Sequence, residues 1–328
     1  MKSLYYDAVV IGAGAAGMAA ALELDKGGLN TALIDREDHL GGILMQCIHT
    51  GFGITAFNEE LTGPEYAERF IDRILTSNID VYLNTTIRSF KPEQQNNAEP
   101  LKELTGISDK GLIRFYAKLI ILAMGCRERN RGNLRIPGSR PAGVYTAGLA
   151  QRLVNIEGYI PGKEIVIIGS GDIGLIMARR MSWVGCKVHA VVEIRDTPSG
   201  LTRNVVQCLN DNNIPLLLST QVTKILGNDR VEGVEIIHLG IKSVIKCDTV
   251  LLSVGLIPEN ELSREAGLQL NNTTGGPIVD EQFMTAMDGV FACGNVLHVH
   301  DLVDAVTKEA EEAAHFALSY LQKNWQKE

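Results

Sequence analysis

The 328-residue sequence lacks the features that mark several broad classes of protein. Its six cysteines form no Cys-x-x-Cys pair and show no metal-ligand spacing, so we expect no bound metal. No apolar run approaches the roughly 20 residues of a membrane span, and the first strand begins too close to Met1 for a signal peptide. The net charge of −8 comes without a basic run, which argues against nucleic acid as a partner. These absences predict a cytoplasmic protein.

What the sequence does contain is an apolar run, 8–11, that leads directly into the pattern Gly12-x-Gly14-x-x-Gly17. The first glycine allows a sharp turn, the second lets the backbone approach a pyrophosphate, and the third lets a helix pack closely on the strand. A second apolar run ends at Asp35, 23 residues beyond Gly12, where a carboxylate can accept hydrogen bonds from a ribose. This stretch therefore predicts a strand, a turn and a helix that bind a dinucleotide.

The same arrangement recurs in the middle of the chain. The apolar run 165–168 leads into Gly169-x-Gly171-x-x-Gly174, and the next predicted strand ends at Glu193, 24 residues beyond Gly169. Two units with the same order of strand, glycines, helix, strand and acid are hard to obtain by chance. The sequence therefore predicts two nucleotide sites in one chain.

The position of these units predicts an α/β fold with two Rossmann-like three-layer dinucleotide-binding domains, the second inserted into the first. We place the first part of the first dinucleotide-binding domain at 1–125, the second dinucleotide-binding domain at 126–253 and the second part of the first domain at 254–328. The segment 126–141 breaks the strand and helix pattern and carries five arginines, which belong either to a solvated linker or to a phosphate contact.

Within the first domain, helices are predicted to start at Ala15 and Gly63, and a C-terminal helix is predicted over 304–323. The apolar runs 112–116 and 119–124 predict two strands. The polar segment 91–109 predicts a long surface loop.

The order of these motifs resembles that of the two-dinucleotide-binding-domain flavoproteins of the pyridine nucleotide-disulfide oxidoreductase superfamily, in the thioredoxin-reductase-like branch. The resemblance covers essentially the whole chain. It rests on the two glycine-rich units, on the strand that ends at Ile121-Leu122-Ala123-Met124-Gly125, and on Phe291-Ala292-Cys293-Gly294-Asn295, which is similar to the Phe-Ala-x-Gly-Asp motif of that family. It implies FAD at the first unit and NAD(P)H at the second.

Two departures from the family pattern narrow the function. The stretch 143–150, where thioredoxin reductases carry a redox pair, has no cysteine, and the stretch 40–49, where glutathione-reductase relatives carry one, has only Cys47. Neither stretch can supply a dithiol relay. The residues at 41–53, 126–129 and 140–151 are similar to those of a subgroup of flavoproteins that accompany bacterial glycerol-3-phosphate, proline or opine dehydrogenases and cyanide synthase.

The motifs and the resemblance together imply the following contacts. FAD is expected to meet Gly12, Gly14, Ala15, Gly17, Asp35, Arg36, Gly42, Cys47, Ile87, Ala123, Gly125, Gly294, Asn295 and Ala305. NAD(P)H is expected to meet Gly169, Gly171, Asp172, Ile173, Gly174, Glu193 and Gly255. The carboxylate of Glu193 favours NADH, because it repels the 2'-phosphate of NADPH, although Arg195 nearby offers that phosphate a partner.

Chemistry beyond cofactor binding is less well specified. Cys47 and His49 align with family positions close to the flavin and are the catalytic candidates, although a lone cysteine after a glycine turn more often serves in packing. His298, His300 and Asp301 follow the C-terminal flavin motif and either transfer protons or serve as ordinary loop residues.

Three classes of function stay open. The first, which we favour, is an FAD-dependent oxidoreductase that moves hydride between NADH and FAD and passes electrons to a partner protein, a dehydrogenase subunit or a small acceptor. The second is a thiol-independent ferredoxin or flavodoxin reductase on the same fold. The third is a nucleotide-binding module without turnover. A homodimer or a hetero-oligomer is expected.

Overall fold

The computed structural model describes residues 2–92 and 101–325. The chain folds into two compact units, one formed by Met1–Arg127 together with Ile257–Glu328 and the other by Glu128–Leu256. Within the described residues, the first unit therefore contains both ends of the chain and the second is an insertion in it.

The elements of the first stretch are β1 (Lys2–Ile11), α1 (Ala15–Lys26), β2 (Thr31–Ile34), β3 (Thr50–Phe52), β4 (Leu61–Thr62), α2 (Gly63–Leu75), β5 (Asp80–Tyr82), β6 (Thr85–Lys91), β7 (Lys102–Ser108), β8 (Gly111–Leu122) and β9 (Cys126–Glu128). The insertion contains α3 (Arg131–Leu134), β10 (Val144–Thr146), α4 (Ala147–Asn155), β11 (Glu164–Ile168), α5 (Asp172–Trp183), β12 (Lys187–Val192), α6 (Thr202–Asn204), β13 (Leu216–Leu217), β14 (Thr220–Leu226), β15 (Gly233–His238), β16 (Ile241–Lys246) and β17 (Thr249–Leu252). The chain then returns through β18 (Leu256–Pro258), α7 (Glu261–Glu265), β19 (Val290–Ala292) and α8 (Val303–Trp325).

The first unit is built on a seven-stranded sheet in which β5, β2, β1 and β8 are parallel neighbours and β19 pairs in parallel with the end of β8. Strands β7 and β6 continue from β8 as an antiparallel meander. Strand β1 is buried on both faces toward its end, as expected for a central parallel strand covered on both sides. One face packs against α1, α2 and α8, whose alanines allow close helix packing.

The second unit repeats this plan on a smaller scale. Its parallel sheet has the order β10, β17, β11, β12 and β13, and a separate antiparallel sheet is formed by β14, β15 and β16. Strands β9 and β18, in which the chain passes from one unit to the other and back, pair with each other. The predicted α/β class, with one parallel unit inserted in another, is confirmed.

Helix α2 shows how local sequence sets a boundary. Thr62 and Glu65 form a capping box, in which the Thr62 hydroxyl accepts from the Glu65 N–H and the Glu65 carboxylate accepts from the Thr62 N–H. Pro64 stands in the first turn, where its missing N–H costs nothing. Tyr66, Phe70 and Ile74 of α2 then return at helical spacing and bury one face, whereas Leu75 is exposed.

Two predictions for the first unit are wrong. Residues 102–108 form β7 and not a loop, because Leu104 and its neighbours are buried against β6 and β8 despite their polar composition. The two strands predicted at 112–116 and 119–124 are one strand, β8, which continues because it has partners along its whole length. The part of the predicted loop at 93–100 lies outside the described residues.

Candidate functional site

The predicted flavin contacts of the first unit gather at one edge of its sheet. The parallel strands β1, β2, β8 and β19 all end there, and each is followed by a segment that carries predicted contacts. Backbone bonds hold these segments together: Gly12 N donates to Ile34 O at 2.8 Å, and Cys293 N donates to Leu122 O at 3.0 Å. The carboxyl edge of a parallel sheet is where such folds bind ligands.

The three glycines of the first turn have distinct environments. Gly12 has φ +104°, and a Cβ on it would lie 2.3 Å from the carbonyl oxygen of Ala123. A Cβ on Gly17 would lie 1.6 Å from the carbonyl oxygen of Gly12, so α1 can approach β1 only without a side chain there. A Cβ on Gly14 would meet no protein atom within 4 Å. Two glycines are thus needed for packing, and the third borders open space at the start of α1.

Asp35 follows β2 and closes this turn from the side. Its carboxylate accepts a hydrogen bond from Ala13 N at 2.5 Å and another from Glu37 N at 2.9 Å. Arg36, between them, has a side chain 67% exposed, with Nε 3.8 Å from a carboxylate oxygen of Glu37. Ala15 is the first residue of α1 and is buried. The acid is therefore fixed to the glycine turn by a backbone donor.

The segment after residue 40 packs directly on the turn. Gly41 N donates to Ala13 O at 2.9 Å, and a Cβ on Gly42 would lie 3.1 Å from the Cα of Gly14. Cys47 follows a short 3-10 turn and is buried, with its thiol donating to Ile43 O at 3.3 Å. Burial raises the pKa of this thiol to about 12.

His49 is half-buried beyond Cys47, with Nδ1 3.1 Å from the carbonyl oxygen of Thr50 and its ring 5.1 Å from that of Phe52. Cys47 and His49 thus differ in environment, since the thiol is enclosed and the imidazole is partly open. A buried neutral thiol is a poor nucleophile.

Gly294 and Asn295 lie between the starts of two long helices. A Cβ on Gly294 would lie 2.8 Å from the Cβ of Ala16 in α1 and 3.3 Å from Cγ1 of Val306 in α8. Ala305, in the first turn of α8, is exposed. The predicted flavin motif therefore joins the N-terminal ends of α1 and α8, where helix dipoles favour negative charge.

The start of α8 is fixed by contacts that the sequence pattern does not reveal. The carboxylate of Asp304 accepts from Gly53 N at 3.3 Å and from Ala56 N at 2.7 Å. The hydroxyls of Tyr66 and Thr307 form a buried hydrogen bond of 2.7 Å. These contacts hold the segment 53–56 and helix α2 against the N-terminal end of α8.

Two predicted contacts lie farther along the chain from this turn. Ile87 lies in β6, and a Cβ on Gly106 in the neighbouring strand β7 would be 3.4 Å from its Cδ1. Gly125, with φ +70°, follows β8, and its carbonyl oxygen accepts from Glu259 N at 2.9 Å.

The second unit holds its predicted contacts in a parallel arrangement. A Cβ on Gly169 would lie 1.9 Å from the carbonyl oxygen of Ser253, and a Cβ on Gly174 would lie 2.7 Å from the carbonyl oxygen of Gly169. A Cβ on Gly171, the N-cap of α5, would have the Ser253 hydroxyl 3.5 Å away as its nearest neighbour. Ile173 is half-buried in the first turn of α5, and Gly255 follows β17 with φ +96° and an exposed backbone.

The carboxylate of Asp172 faces the segment 199–204. Its Oδ1 accepts from Leu201 N at 2.8 Å and from the amide of Asn204 at 2.7 Å. Gly200 N donates to Ser170 O at 2.8 Å. The segment 199–204 is therefore fastened along the second glycine turn.

Glu193, the acid of the second unit, is buried at 5% exposure. Its Oε2 accepts from Ser170 N at 3.0 Å, from the Ser170 hydroxyl at 2.6 Å and from the Ser199 hydroxyl at 3.1 Å. Its Oε1 accepts from Arg195 N at 3.1 Å. Burial acts to raise the pKa of Glu193, but these hydrogen bonds outweigh it and hold the pKa below the usual range.

Near the C-terminal motif, the structure joins three polar residues that the sequence left separate. Asn295 Oδ1 accepts from His300 N at 2.9 Å and lies 3.2 Å from Nδ1 of the same histidine. Nε2 of His300 lies 3.1 Å from Oε2 of Glu309, whose Oε1 accepts from Gly294 N at 2.6 Å. Glu309 is in the middle of α8, and no local spacing could have indicated that it meets Gly294.

Cysteine chemistry finds no support in the described residues. Five of the six cysteines are buried, and Cys126 is half-buried. A separate finding concerns the helices. Among residues 2–92 and 101–325, none of them is both long and apolar enough to cross a bilayer.

Comparison with known proteins agrees with this architecture. Residues 6–317 match the family described as pyridine nucleotide-disulphide oxidoreductase. An opine oxidase subunit of Agrobacterium tumefaciens (strain Ach5) is 28% identical over 315 residues, which are 89% of this chain and 61% of that protein. Ferredoxin–NADP reductase 2 of Exiguobacterium sibiricum is 25% identical over 333 residues, which cover 97% of this chain and 89% of that enzyme. The crystal structure of T. acidophilum thioredoxin reductase superimposes with a TM-score of 0.78 at 25% identity, covering 96% of this chain and 98% of that one.

The family match spans nearly all of the chain, while the chain spans only 61% of the length of the opine oxidase protein. The resemblance inferred from the two glycine-rich units is thereby confirmed. Members of the family bind FAD and NAD(P)H. The chain belongs to the pyridine nucleotide-disulphide oxidoreductase family.

Proposed function

We propose that this protein is a cytoplasmic NADH-dependent flavoprotein that accepts hydride on FAD and delivers the electrons to a partner without a dithiol relay. FAD occupies the first unit and NADH the second. The observation that carries the proposal is the combination of two glycine-rich turns with a buried, protonated Cys47 and no cysteine pair at either family position. A relay needs two thiols that exchange with a disulfide, and these positions do not supply them.

Three observations support FAD at the first turn. The open space beside Gly14 accommodates a pyrophosphate against the backbone, since no side chain or backbone atom lies within 4 Å of a Cβ there. The N-terminal ends of α1 and α8 both meet at Gly294, and their dipoles favour phosphate or a reduced ring. Asp35 is already positioned against Ala13 to receive a ribose hydroxyl.

Each part of the chain then has a defined task. When bound, FAD supplies the hydride chemistry. Gly14 admits the pyrophosphate, Asp35 orients the ribose, and the first turn of α8 around Ala305 stabilises negative charge with its N–H groups. Asp304 keeps that turn in place by holding the segment 53–56. Cys47 fills space beside the glycine turn and takes no part in electron transfer.

The second unit supports a nicotinamide dinucleotide with a free 2'-hydroxyl. Oε1 of Glu193 accepts one hydrogen bond within the described residues, from Arg195 N, and so retains capacity for a ribose hydroxyl. Because the pKa of Glu193 is lowered, its charge is present at neutral pH and repels a 2'-phosphate. Arg195 is exposed and remains the competing influence in favour of NADPH.

The proposal has two versions, which differ in the protein that accepts the electrons. The similarity to an opine oxidase component favours a flavin subunit that works with a dehydrogenase, and the chain spans only part of that relative. The similarity to a ferredoxin–NADP reductase over 89% of that enzyme favours direct transfer to a small electron carrier. We favour the first version, in a homodimer or a hetero-oligomer, because the sequence motifs at 41–53 and 140–151 are those of the dehydrogenase-associated subgroup.

Anaerobic mixing of the purified yellow protein with NADH tests the proposal. We expect the flavin absorbance near 450 nm to bleach rapidly, and we expect subsequent oxidation by dyes or by a co-purified partner but not by thioredoxin or a low-molecular-weight disulfide. Rapid disulfide reduction would contradict the absence of a relay. Bound flavin that NADH and NADPH both fail to bleach would instead make the chain a binding module. Turnover with ferredoxin alone at the rate seen with the partner would favour the second version.

A further inference from the structure

A cluster of three side chains in the first unit has the composition of a metal site. His298 and His300 lie in the segment after Asn295, and Glu309 lies on α8. One potential ligand atom from each lies within 4.8 Å of those of the other two. Two imidazoles and one carboxylate are a common ligand set for divalent transition-metal ions.

The hydrogen bonds around His300 show that a cation belongs between two of these groups. The His300 N–H donates to Asn295 Oδ1, which fixes that oxygen as an acceptor. His300 Nδ1 lies 3.2 Å from the same oxygen, and in the Nδ1–H tautomer of the ring it donates to that oxygen. In a neutral ring Nε2 then has a lone pair, and it faces the carboxylate oxygen of Glu309 at 3.1 Å. Two lone pairs at that distance require a proton or a metal ion between them.

The third group favours the metal ion over the proton. A proton is satisfied by two partners, yet the ring of His298 lies beside that of His300, tilted by 33° with the centroids 4.1 Å apart, and brings another ring nitrogen into the cluster. Bonds of about 2.0–2.1 Å to a tetrahedral ion separate its ligands by about 3.3 Å. The 3.1 Å between Nε2 and Oε2 is close to that value. His298 is exposed, so it can rotate the remaining distance and leaves an entry path from solvent.

The surroundings of the cluster match those of established metal ligands. A ligating histidine usually donates its other ring N–H to an oxygen, and a ligating carboxylate is usually hydrogen-bonded in turn. Here His300 Nδ1 faces Asn295 Oδ1, and the second oxygen of Glu309 accepts from Gly294 N at 2.6 Å. With side-chain exposures of 8% for His300 and 14% for Glu309, two of the three ligands are held in a largely buried position.

From this geometry we propose that His298, His300 and Glu309 bind one divalent transition-metal ion, with Zn²⁺ as the ion to test. Three protein ligands leave a fourth coordination position open. The ion joins the segment after Asn295 to α8. The sequence, whose cysteines show no metal-ligand spacing, gives no signal for this site, and the ligands of the site do not depend on the proposed electron transfer.

Equilibrium dialysis of the chelator-treated, full-length flavoprotein against ZnCl₂, with the bound metal measured by mass spectrometry, tests the site. We expect one Zn²⁺ per chain with a Kd of about 1 µM or tighter, unaffected by millimolar Mg²⁺, which disfavours nitrogen ligands. His298→Ala should weaken binding by at least about tenfold. Glu309→Gln should do the same while keeping an oxygen for the Gly294 N–H.

Matched controls separate this site from incidental binding. His315→Ala and Glu312→Gln change exposed residues of the same two types on α8, the helix that carries Glu309, and should leave the Kd unchanged. In thermal unfolding, Zn²⁺ should raise the Tm of the wild type and of both controls but not of His298→Ala. No stoichiometric Zn²⁺ in the wild type would show that only a proton lies between His300 and Glu309. Equal weakening in His298→Ala and His315→Ala would likewise overturn the proposal.

Discussion

The turn after β1 and the turn after β11 have the same glycine spacing but different surroundings. At the first turn the acid is Asp35, which accepts from backbone N–H groups of the described residues, those of Ala13 and Glu37. At the second turn the longer Glu193 reaches across to two hydroxyls as well as two backbone donors. With one more methylene group, the carboxylate of Glu193 is enclosed at the second turn, whereas that of Asp35 borders the first turn.

The segments that cover the two turns differ as well. The segment 41–47 rests on the first turn through one backbone bond and the close approach of Gly42 to Gly14, leaving open space beside Gly14. The segment 199–204 is bonded to Ser170, Asp172 and Glu193 at the second turn. A shared glycine spacing therefore specifies the strand, turn and helix, whereas the side chains around it decide how much of the turn stays available to a ligand.

The largest expected effect separates the two turns by cofactor. Gly14→Val should lower FAD affinity by at least about a hundredfold, because its Cβ enters open space in which no protein atom lies within 4 Å. Gly171→Val should leave FAD bound and instead slow flavin reduction by NADH. The flavin content after gel filtration and the reduction rate in stopped flow measure the two outcomes.

The fold of the two variants provides the control for this pair. Far-ultraviolet circular dichroism of both should match that of the wild type, since neither Cβ position lies within 3.4 Å of a protein atom. Normal flavin content in Gly14→Val would refute the assignment of FAD to the first turn.

A second pair compares how tightly helix and strand pack in each unit. Gly17→Ala would place a Cβ 1.6 Å from a backbone oxygen, whereas Gly174→Ala would place one 2.7 Å from its counterpart. We expect destabilisation of about 3 kcal/mol for Gly17→Ala and about 1 kcal/mol for Gly174→Ala, after allowing for the higher helix propensity of alanine. Thermal unfolding followed by circular dichroism measures both. Equal losses would mean that the second helix is as constrained as the first.

The third prediction concerns the acid of the second turn. Glu193→Gln keeps an oxygen for Ser170 but removes the charge that would repel a 2'-phosphate, so the preference for NADH over NADPH should fall by about tenfold. The ratio of kcat/KM for flavin reduction with the two nucleotides measures it. Asp172→Asn, beside the same turn, is the control and should leave the ratio unchanged because its carboxylate bonds to Leu201 and Asn204. A wild type that prefers NADPH would show that Arg195 outweighs Glu193.

Much of the fold could be predicted because its signals are local. The strands at 8–11 and 165–168 are continuous apolar runs, and the helix starts at Ala15 and Gly63 follow glycine and proline rules that involve only neighbouring residues. Strand β7 could not be recognised, because Lys102 and Glu103 are buried only through pairing with β6 and β8. The antiparallel sheet of β14, β15 and β16 was missed for a related reason, since β16 is almost entirely exposed and has no alternating pattern.

The candidate site likewise has features that the sequence predicts and contacts that it does not. Glycine spacing and the positions of Asp35 and Glu193 are readable from the sequence because a strand, a turn and a helix have fixed lengths. The contact between Glu309 and Gly294 depends on how α8 lies against the sheet, and the hydroxyls of Ser170 and Ser199 meet Glu193 only after the chain has folded over the turn. Side chains that approach from distant segments leave no periodic signal.

The smallest expected effect is at Cys47, the one cysteine beside the first turn. Burial raises the pKa of its thiol to about 12, so that only about one molecule in 10⁵ carries the thiolate at neutral pH. Cys47→Ser should therefore change the rate of flavin reduction by NADH less than about twofold, and the rate in the wild type should show no rise between pH 7 and pH 9 of the kind that an ordinary thiol would produce. Stopped-flow reduction across that range measures both, with FAD content as the control for packing. A tenfold loss in Cys47→Ser with FAD still bound would assign the thiol a direct part in electron transfer and make the first turn, like the second, dependent on the side chains that cover it.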